Sequence, residues 1–311
     1  MGLVTVIGSY IVAQVIDADR IPAAGETLTG RNYHVTHGGK GSNMACCAAR
    51  LGTRTRFLGK VGRDSFGAAF VDLLRREQVS TEGVLYSVSL PTAMGFIVCG
   101  RDGSNIIVID PGANAEFSPA DIAVASGLIE SSDVVMSPLE IPLETALAGA
   151  RLAARYGIRA ILNPAPASDL RASDLSCVFA LTPNEGEALV CLGREDAHTA
   201  PDECARALLD LGACNAILTL GGRGALWASH GGLWRIPALQ VDVLDTVGAG
   251  DAFNAGLAAG LSEGQALDRA IAMGVTAASL STRKRETIES YAYREEVDSR
   301  VAEVLARIER C

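Results

Sequence analysis

Short runs rich in β-branched residues alternate along this chain with longer amphipathic stretches rich in Ala and Leu. The runs have the length and composition of buried strands, and the stretches have the apolar spacing of helices. Strands that alternate with helices form a mostly parallel sheet with helices on both faces, so the sequence predicts an α/β fold. The segments that carry this pattern are residues 4–8, 44–51, 55–60, 67–78, 134–136, 145–156, 160–163, 201–211 and 216–220.

A second pattern lies within the N-terminal half, where short strands follow one another with little helix between them. These strands are predicted at about residues 11–16, 32–36, 92–99 and 105–109. We expect them to form a small antiparallel sheet inserted into the α/β body, with tight turns such as residues 101–103. The apolar face of so small a sheet needs a cover, which a substrate in a cleft or a second subunit would supply.

Charge and hydropathy exclude two classes of partner. The chain has 36 acidic residues against 27 Lys and Arg, for a formal net charge of −9. Binding to a nucleic acid takes clustered basic side chains, and the one dense basic run is residues 283–285. No run of ~18 consecutive apolar residues occurs, so no membrane span is predicted. We therefore expect neither a nucleic acid nor a membrane as a partner.

The cysteines indicate the compartment. Eight cysteines are scattered over the chain, and no C-x-x-C motif or His/Cys cluster occurs. We therefore expect reduced thiols in a cytoplasmic protein. The apolar residues 3–16 lack a preceding Lys or Arg and are interrupted by Gly8 and Ser9, so a first strand is preferred there over a signal peptide.

The first glycine-rich loop is residues 38–43, Gly-Gly-Lys-Gly-Ser-Asn, directly before a helical stretch. Glycines let backbone N–H groups approach a ligand closely, and Lys40 and Asn43 add side-chain donors. Taken alone, the same loop is typical of an ordinary helix start.

The second glycine-rich loop is residues 245–256, in which Gly248-Ala249-Gly250-Asp251 opens a helix of small residues. Unpaired N–H groups and the helix dipole at such a start favour an anion, for example a phosphoryl group in transfer. A carboxylate there is explained if Asp251 accepts a proton from an attacking hydroxyl as a general base. The alternative is an ordinary acidic residue in the first turn of a helix.

The two loops match neither the Walker loop nor the dinucleotide-binding fingerprint. Together, and in this order, they resemble both signatures of the PfkB carbohydrate kinase family. Residues 162–167, 182–187 and 218–224 also look like segments of that family. The resemblance implies a single domain over residues 1–311 with a ribokinase-like fold, a three-layer α/β/α sandwich with a small β-sheet lid formed by the inserted strands. It further implies an ATP-dependent kinase for a primary hydroxyl of a pentose or related small polyol, with frequent homodimerisation through the lid.

The resemblance also implies roles for individual residues. Asp251 would be the catalytic base, with the N–H groups of Gly248, Ala249 and Gly250 as an anion hole. The expected acceptor-binding residues are Gly39, Lys40, Gly41, Asn43 and Glu140, together with Ile11 and Ala13 on the first inserted strand. The expected ATP-binding residues are Asn184, Thr219, Gly221, Gly222, Gly224 and Gly250. Asn184 and Glu187 would hold Mg²⁺ through water, since Mg²⁺ prefers hard oxygen ligands and keeps several waters. An activating K⁺ would lie at Asp245, Val247, Arg283, Arg285 and Ser290.

Plainer explanations exist for three of these assignments. Asn184 with Glu187 could simply cap a helix, the loop after Thr219 could be an ordinary turn, and Glu140 could lie on the surface.

The chain departs from the family pattern at two places. Ribokinases commonly have Asn and Asp where this chain has Ile11 and Ala13, so two polar contacts to a sugar are absent and ribose itself is in doubt. Gln14 or Tyr10 could replace them only if the strand register shifts. Residues 285–293 also differ from the usual Gly- and Ala-rich turn, which puts potassium activation in doubt.

Two rival functions remain open at this point. In a nucleoside kinase of the same fold, Ile11, Ala13, Met94 and Phe96 could form a platform for a base. In a catalytically silent family member, the chain would act as a binding or regulatory subunit. Silent members typically lose some of the signature residues, so this alternative is disfavoured by the retention of Asp251, Gly248, Gly250, Asn184 and Glu187.

Overall fold

The computed structural model describes residues 2–196 and 199–311. Its strands, in chain order, are β1 (Leu3–Ile7), β2 (Ile11–Ala18), β3 (Arg31–Gly38), β4 (Arg54–Val61), β5 (Val79–Tyr86), β6 (Met94–Gly100), β7 (Asn105–Asp110), β8 (Val134–Pro138), β9 (Arg159–Asn163), β10 (Ala180–Leu181), β11 (Asn215–Thr219), β12 (Ala225–Ser229), β13 (Gly232–Ile236) and β14 (Glu309–Arg310).

Helices connect most of these strands. In chain order they are α1 (Lys40–Arg50), α2 (Ser65–Arg76), α3 (Gly112–Ala115), α4 (Pro119–Val124), α5 (Ser126–Glu130), α6 (Leu143–Arg155), α7 (Glu185–Cys191), α8 (Pro201–Asp210), α9 (Ala249–Ser262), α10 (Leu267–Ser281) and α11 (Arg294–Leu305). Short 3₁₀ turns lie at Gly221–Arg223 and Ile288–Ser290.

Ten strands form the main sheet, in the order β14-β13-β12-β11-β10-β9-β8-β1-β4-β5. The seven strands from β11 to β5 are parallel, as the alternation of strands and helices predicts. The other three continue from β11 as antiparallel neighbours. The parallel part is buried on both faces because helices cover both sides.

Side chains of the central strands alternate between two apolar cores. On β1, Val4 and Val6 belong to the core that α1, α9 and α10 cover. Ile7 belongs to the opposite core, which lies under α6 and α8. Likewise, Met136 on β8 belongs to the first core and Val135 to the second. Two cores, one on each face of a sheet, make a three-layer α/β/α sandwich, which confirms the predicted fold class.

Four strands form a separate sheet, called the lid below, in the order β3-β2-β6-β7. The expectation of a purely antiparallel sheet is wrong, because β2 and β6 pair in parallel from Val12–Met94 to Ala18–Gly100. After β3 the chain returns to the main sheet through α1, β4, α2 and β5. It then enters the lid again from the body, as it does at the start of β2, and two strands that leave the body in the same direction are parallel.

Tyr10 joins the lid to the body. Its backbone N–H donates to the side-chain oxygen of Asn114 at 3.4 Å, and its carbonyl accepts from the side-chain amide of Asn114 at 3.0 Å. The Tyr10 ring stacks on Phe70, with 4.0 Å between centroids, and its hydroxyl lies 2.8 Å from Nδ1 of His37 on β3. These contacts fix the start of β2 next to the loop that precedes α1.

Within the described part of the chain, none of the helices has both the length and the apolar character that crossing a membrane requires. All eight cysteines are free thiols.

Candidate active site

The loop before α1 lies against the start of the lid. Gly39 caps α1 with φ = 92°, a left-handed conformation that glycine adopts without strain. A Cβ at this position would lie 2.8 Å from the Ile11 nitrogen and 2.9 Å from Cα of Tyr10. Both the positive φ and the close contacts therefore require glycine at position 39. The loop is held where Lys40 and Asn43 face the start of α9.

Asp251 lies in the first turn of α9 and is only 4% exposed. Its Oδ2 accepts a hydrogen bond of 2.8 Å from Nδ2 of Asn43. Burial raises the pKa of Asp251 to about 6, against the opposing effects of the Lys40 ammonium and the Asn43 bond. At neutral pH this carboxylate is ionised, yet it binds a proton more strongly than an ordinary Asp, which suits a general base.

Lys40 is the cation of this site. The negative charge of Asp251, then those of Glu140 and Glu187, raise the pKa of Lys40, while burial opposes them. The ammonium is thus held in its charged form where the three carboxylates approach one another. Lys40 therefore offers a transferred phosphoryl group a permanent positive charge at the end of a flexible side chain.

The N-terminus of α9 is the predicted anion hole. Gly248 caps it with φ = 79°. The Ala249 N–H already donates to the Thr246 carbonyl at 3.2 Å, so it is not free for an anion as it stands. Gly250 is exposed, and the N–H groups of Gly250 and Asp251 belong to the first turn, where a helix has no earlier carbonyl to bond.

Glu140 lies inside the site and not on the open surface. Its Oε2 accepts from the Ser9 hydroxyl at 2.5 Å and from the Lys40 backbone N–H at 2.7 Å. Ser9 Oγ also accepts from the Gly41 N–H at 3.3 Å. Glu140 therefore braces the loop before α1 through one oxygen, which leaves its other oxygen for an acceptor hydroxyl.

A cavity of about 370 Å³ lies between the loop after β11 and the helices α9 and α10. All six predicted ATP-binding residues line it: Asn184, Thr219, Gly221, Gly222, Gly224 and Gly250. The sequence prediction missed its apolar wall, which includes Leu239, Val241, Phe253, Val275 and Ala278. The small residues of α10, a helix to which no role was assigned from the sequence, were the available signal. An apolar slot of this kind beside glycine-rich loops can hold a nucleotide base.

A second cavity, of about 180 Å³, contains Lys40, Glu187 and Asp251. It shares Asn184, Thr219, Thr246 and Gly250 with the larger one, so the two cavities adjoin. Asp251 therefore lines the smaller cavity directly beside the larger one.

A polar network that was missed from the sequence lines this second cavity. Asn254 donates to the Gly250 carbonyl at 2.9 Å and accepts from the Thr182 hydroxyl at 2.7 Å. Asn163 donates to the Thr182 carbonyl at 2.8 Å. Each of these residues stands in a segment that resembles the family, but nothing local in the sequence pairs them. The network fixes the first turn of α9.

Asn184 and Glu187 cap α7 reciprocally. The Glu187 N–H donates to Oδ1 of Asn184 at 2.8 Å, and the Asn184 N–H donates to Oε2 of Glu187 at 2.9 Å. Burial raises the pKa of Glu187, and the Asn184 bond and Lys40 oppose this. Among the described residues, no group of three or more His, Cys, Asp and Glu could hold a metal directly. One carboxylate and one amide fit an ion that keeps most of its waters, as Mg²⁺ does.

The residues predicted to bind K⁺ lie on two adjacent segments, the first at 245–247 and the second at 283–290. The N–H groups of Leu244 and Asp245 donate to the Thr282 carbonyl at 2.7 and 3.1 Å. Asp245 Oδ1 accepts from the Val247 N–H at 3.0 Å.

Two further residues of the second segment have side chains with other partners. The Arg283 guanidinium pairs with Glu296 at 2.9 Å, and the Ser290 hydroxyl donates to the Thr287 carbonyl at 2.7 Å. The carbonyl oxygens of residues 283 and 285 are left to contact a cation, as are the lone pairs of the Ser290 hydroxyl oxygen.

The lid strands place on opposite faces the apolar residues that were predicted to form one platform for a base. Ala13 pairs with Gly95, whereas Gln14 pairs with Phe96, so Ala13 and Phe96 point to opposite faces. Gln14 donates to the Met94 sulfur and accepts from the Tyr33 hydroxyl on that second face. The predicted base platform of Ile11, Ala13, Met94 and Phe96 therefore does not form, and Gln14 does not replace the missing polar contacts.

Comparisons with known proteins agree with the fold of this chain and show what it is similar to. A family model for the pfkB family carbohydrate kinases matches residues 1–293. The chain is 35% identical to the ribokinase of Haemophilus influenzae over 293 residues, covering 94% of this chain and 96% of the relative. It is also 35% identical to the deoxyribokinase of Salmonella typhi over 255 residues, covering 80% and 82%. The Arabidopsis thaliana ribokinase complexed with ribose and ATP superposes with a TM-score of 0.87 at 25% identity, covering 96% of this chain and 98% of that one.

Proposed function

Since this chain belongs to the pfkB family of carbohydrate kinases, we propose that it transfers the γ-phosphoryl group of ATP to the primary hydroxyl of a pentose. It is a phosphotransferase with an alcohol group as acceptor. The observation that carries the proposal is Asp251, a buried carboxyl with a pKa of about 6 at the start of α9, beside the cavity that the predicted ATP-binding residues line.

Each residue has a role in this reaction. Asp251 takes the proton of the acceptor hydroxyl as its oxygen attacks the γ-phosphorus in line with the leaving ADP oxygen. The N–H groups of Gly250 and Asp251, together with Lys40, stabilise the charge on the phosphoryl oxygens. Asn43 holds the carboxylate in place through its 2.8 Å bond. The apolar wall of the large cavity takes the adenine, and the loop of Thr219 and Gly221 lies along the phosphates.

Two cations complete the proposal. Glu187 and Asn184 would hold Mg²⁺ through water, and this ion would neutralise charge on the β- and γ-phosphates. Asp245, Ser290 and the carbonyls of Val247, Arg283 and Arg285 would hold K⁺ beside the start of α9. The adjacency of their two segments at Thr282 supports this site.

A homodimer through the lid is also part of the proposal. The lid face opposite Ala13 exposes Tyr33, Val35, Phe96 and Val108, each more than 45% exposed. Apolar side chains in such a row favour cover by a second copy of the same sheet. Eight free thiols in one chain also support a reducing compartment, the cytoplasm.

The test is an ADP-release assay of the full chain with Mg²⁺-ATP, with and without K⁺, over pentoses, small polyols, hexoses and nucleosides. We expect turnover of a pentose that is lost in Asp251→Asn. Turnover confined to nucleosides would replace the acceptor assignment, and silence with every acceptor would support the non-catalytic alternative. K⁺ dependence that is lost in Ser290→Ala would support the cation site.

A further inference from the structure

The acceptor pocket has one polar end. Asp251 and Asn43 form it, and Asn43 is only 7% exposed. Its amide nitrogen bonds Asp251, but its Oδ1, also buried, has no hydrogen-bond partner among the residues that the structure describes. A buried oxygen left without a donor carries a free-energy cost, which a hydroxyl of a bound acceptor would remove. The transferred hydroxyl and its neighbour therefore belong at this end.

The opposite end of the pocket is mainly apolar, although Thr36 on β3 pairs with Ala13 and carries a hydroxyl at the edge of this face. Val12 lies between Ile11 and Ala13 on β2. It points, with Tyr10, into the core that α1, α9 and α10 cover. Ile11 and Ala13 consequently point the other way. Ile11 belongs to neither core cluster although it is only 7% exposed. It pairs with Gly38, the first residue of the loop that carries Lys40 and Asn43, so this face of β2 adjoins the acceptor pocket.

The neighbouring strands extend this apolar surface. Gly95 pairs with Ala13 on one side and with Ile109 on the other. A Cβ at Gly95 would lie 3.6 Å from Cγ2 of Ile11 and 3.8 Å from Cγ1 of Ile109. Ile11, Ala13, Gly95 and Ile109 thus form one continuous surface, here called the lid wall. Their side chains contain neither a hydrogen-bond donor nor an acceptor.

The shape of a pentose connects the two ends. In a furanose whose C5 hydroxyl lies at Asp251, the carbons farthest away are C1 and C2, so their edge meets the lid wall. A hydroxyl pressed against Ile11 and Ala13 would lose its bonds to water, and neither of these side chains could replace them. A carbon that bears only hydrogen would lose nothing and would bury apolar surface.

We propose that the preferred acceptor is a pentose that lacks the C2 hydroxyl on the edge that meets the lid wall, a 2-deoxypentose, and that Ala13 sets this preference. The inference rests on the proposed pentose kinase activity and names its substrate class. The similarity to ribokinases and to a deoxyribokinase is equal at 35% identity, so the preference follows from the lid wall and not from the comparisons.

The experiment compares kcat/KM for 2-deoxy-D-ribose and D-ribose in the native chain, in Ala13→Asp and in Asn105→Asp. Asn105 lies exposed at the far end of the lid, so its variant adds the same charge without touching the lid wall. We expect the native chain to prefer 2-deoxyribose by about tenfold or more, a discrimination typical of one hydroxyl in an apolar pocket. Ala13→Asp should move the ratio about tenfold or more toward ribose, because the new carboxylate accepts a bond from the C2 hydroxyl. Asn105→Asp should leave the ratio unchanged.

Three results would overturn the inference. They are a native preference for ribose, a ratio that Ala13→Asp does not move, and a higher kcat/KM on deoxyadenosine than on 2-deoxyribose. If thermal unfolding shows that Ala13→Asp is not folded, Ala13→Ser provides the same comparison with a smaller polar group. The absence of ADP release with every pentose, in contrast, would overturn the proposed function itself.

Discussion

The side-chain amide of Asn43 donates a hydrogen bond of 2.8 Å to Oδ2 of Asp251, joining the first turns of α1 and α9 across 208 positions of sequence. Each glycine-rich loop thereby supplies one of the two residues of this hydrogen-bonded pair. Asn43 orients the carboxylate, and the bond also favours its ionised form.

Asn43→Ala should move the acid limb of the pH profile of kcat/KM to higher pH. The Asn43 bond lowers the pKa of Asp251, so its removal raises that pKa above about 6, and a higher pH is needed to ionise the base. Initial rates at subsaturating acceptor between pH 5 and 9 measure the limb. Asn105→Ala, an exposed change in the lid, is the control. An acid limb at the same pH in Asn43→Ala would refute the assignment.

Asp251→Asn should lower kcat by about 10³-fold while the affinity for ATP stays close to that of the native chain. The amide cannot accept the acceptor's proton, yet it keeps the size and polarity of the carboxylate. Isothermal titration with a non-hydrolysable ATP analogue measures the affinity. Asp72→Asn, an exposed carboxylate on α2, should change neither quantity. Loss of ATP binding in Asp251→Asn would instead indicate a structural role.

The same substitution should raise thermal stability at pH 8. Burial raises the pKa of Asp251 from 3.8 to about 6, so the folded protein favours the neutral acid, and the stability this gives below pH 4 is lost as the pH rises through about 6. At pH 8 the ionised carboxylate costs the fold about 3 kcal/mol, because each pKa unit corresponds to ~1.36 kcal/mol. We expect a higher Tm for Asp251→Asn at pH 8 and a smaller difference at pH 5. Equal Tm differences at both values would contradict this account.

Gly248→Ala should abolish activity and lower the Tm. The residue has φ = 79°, and a Cβ there would lie 2.5 Å from Cγ2 of Thr287 and 2.9 Å from the Tyr291 hydroxyl oxygen. Either the loop or the start of α9 must shift, which displaces the N–H groups at the phosphoryl site.

Gly264→Ala is the matched control for Gly248→Ala. It has φ = 74° with no atom within 4 Å of the added carbon, so it carries the backbone strain without the collision. Equal losses of kcat in the two variants would show that the contact with Thr287 and Tyr291 does not matter.

Ala278→Phe should raise the KM for ATP by about tenfold or more and leave the KM for the acceptor unchanged. Ala278 lines the large cavity on α10, and a phenyl ring there would occupy the space of the base. Steady-state kinetics with each substrate varied in turn separates the two constants. Ala302→Phe, on the exposed side of α11, is the control. A rise confined to the acceptor KM would place the nucleotide elsewhere.

Much of the fold was predictable because its signals are local. The alternation of strands and helices specifies a sheet with two covered faces, and the structure has both cores. The direction of β6 was not predictable, because it depends on the path that the chain takes through the body before it returns to the lid. Local sequence patterns also led to the prediction that Phe96 and Ala13 share one platform. The pairing of β2 with β6 instead places them on opposite faces.

The sequence by itself determined the α/β class, the two glycine-rich loops and Asp251 as the candidate base. A glycine that caps a helix and an acid in its first turn act within a few residues, so their meaning can be read locally. Only the tertiary structure decided that Asn43 bonds Asp251, that α10 walls the nucleotide cavity and that Ala13 and Phe96 lie on opposite faces of the lid. These relationships join residues far apart in sequence, and packing and desolvation, which set the pKa of Asp251, exist only once the chain has folded.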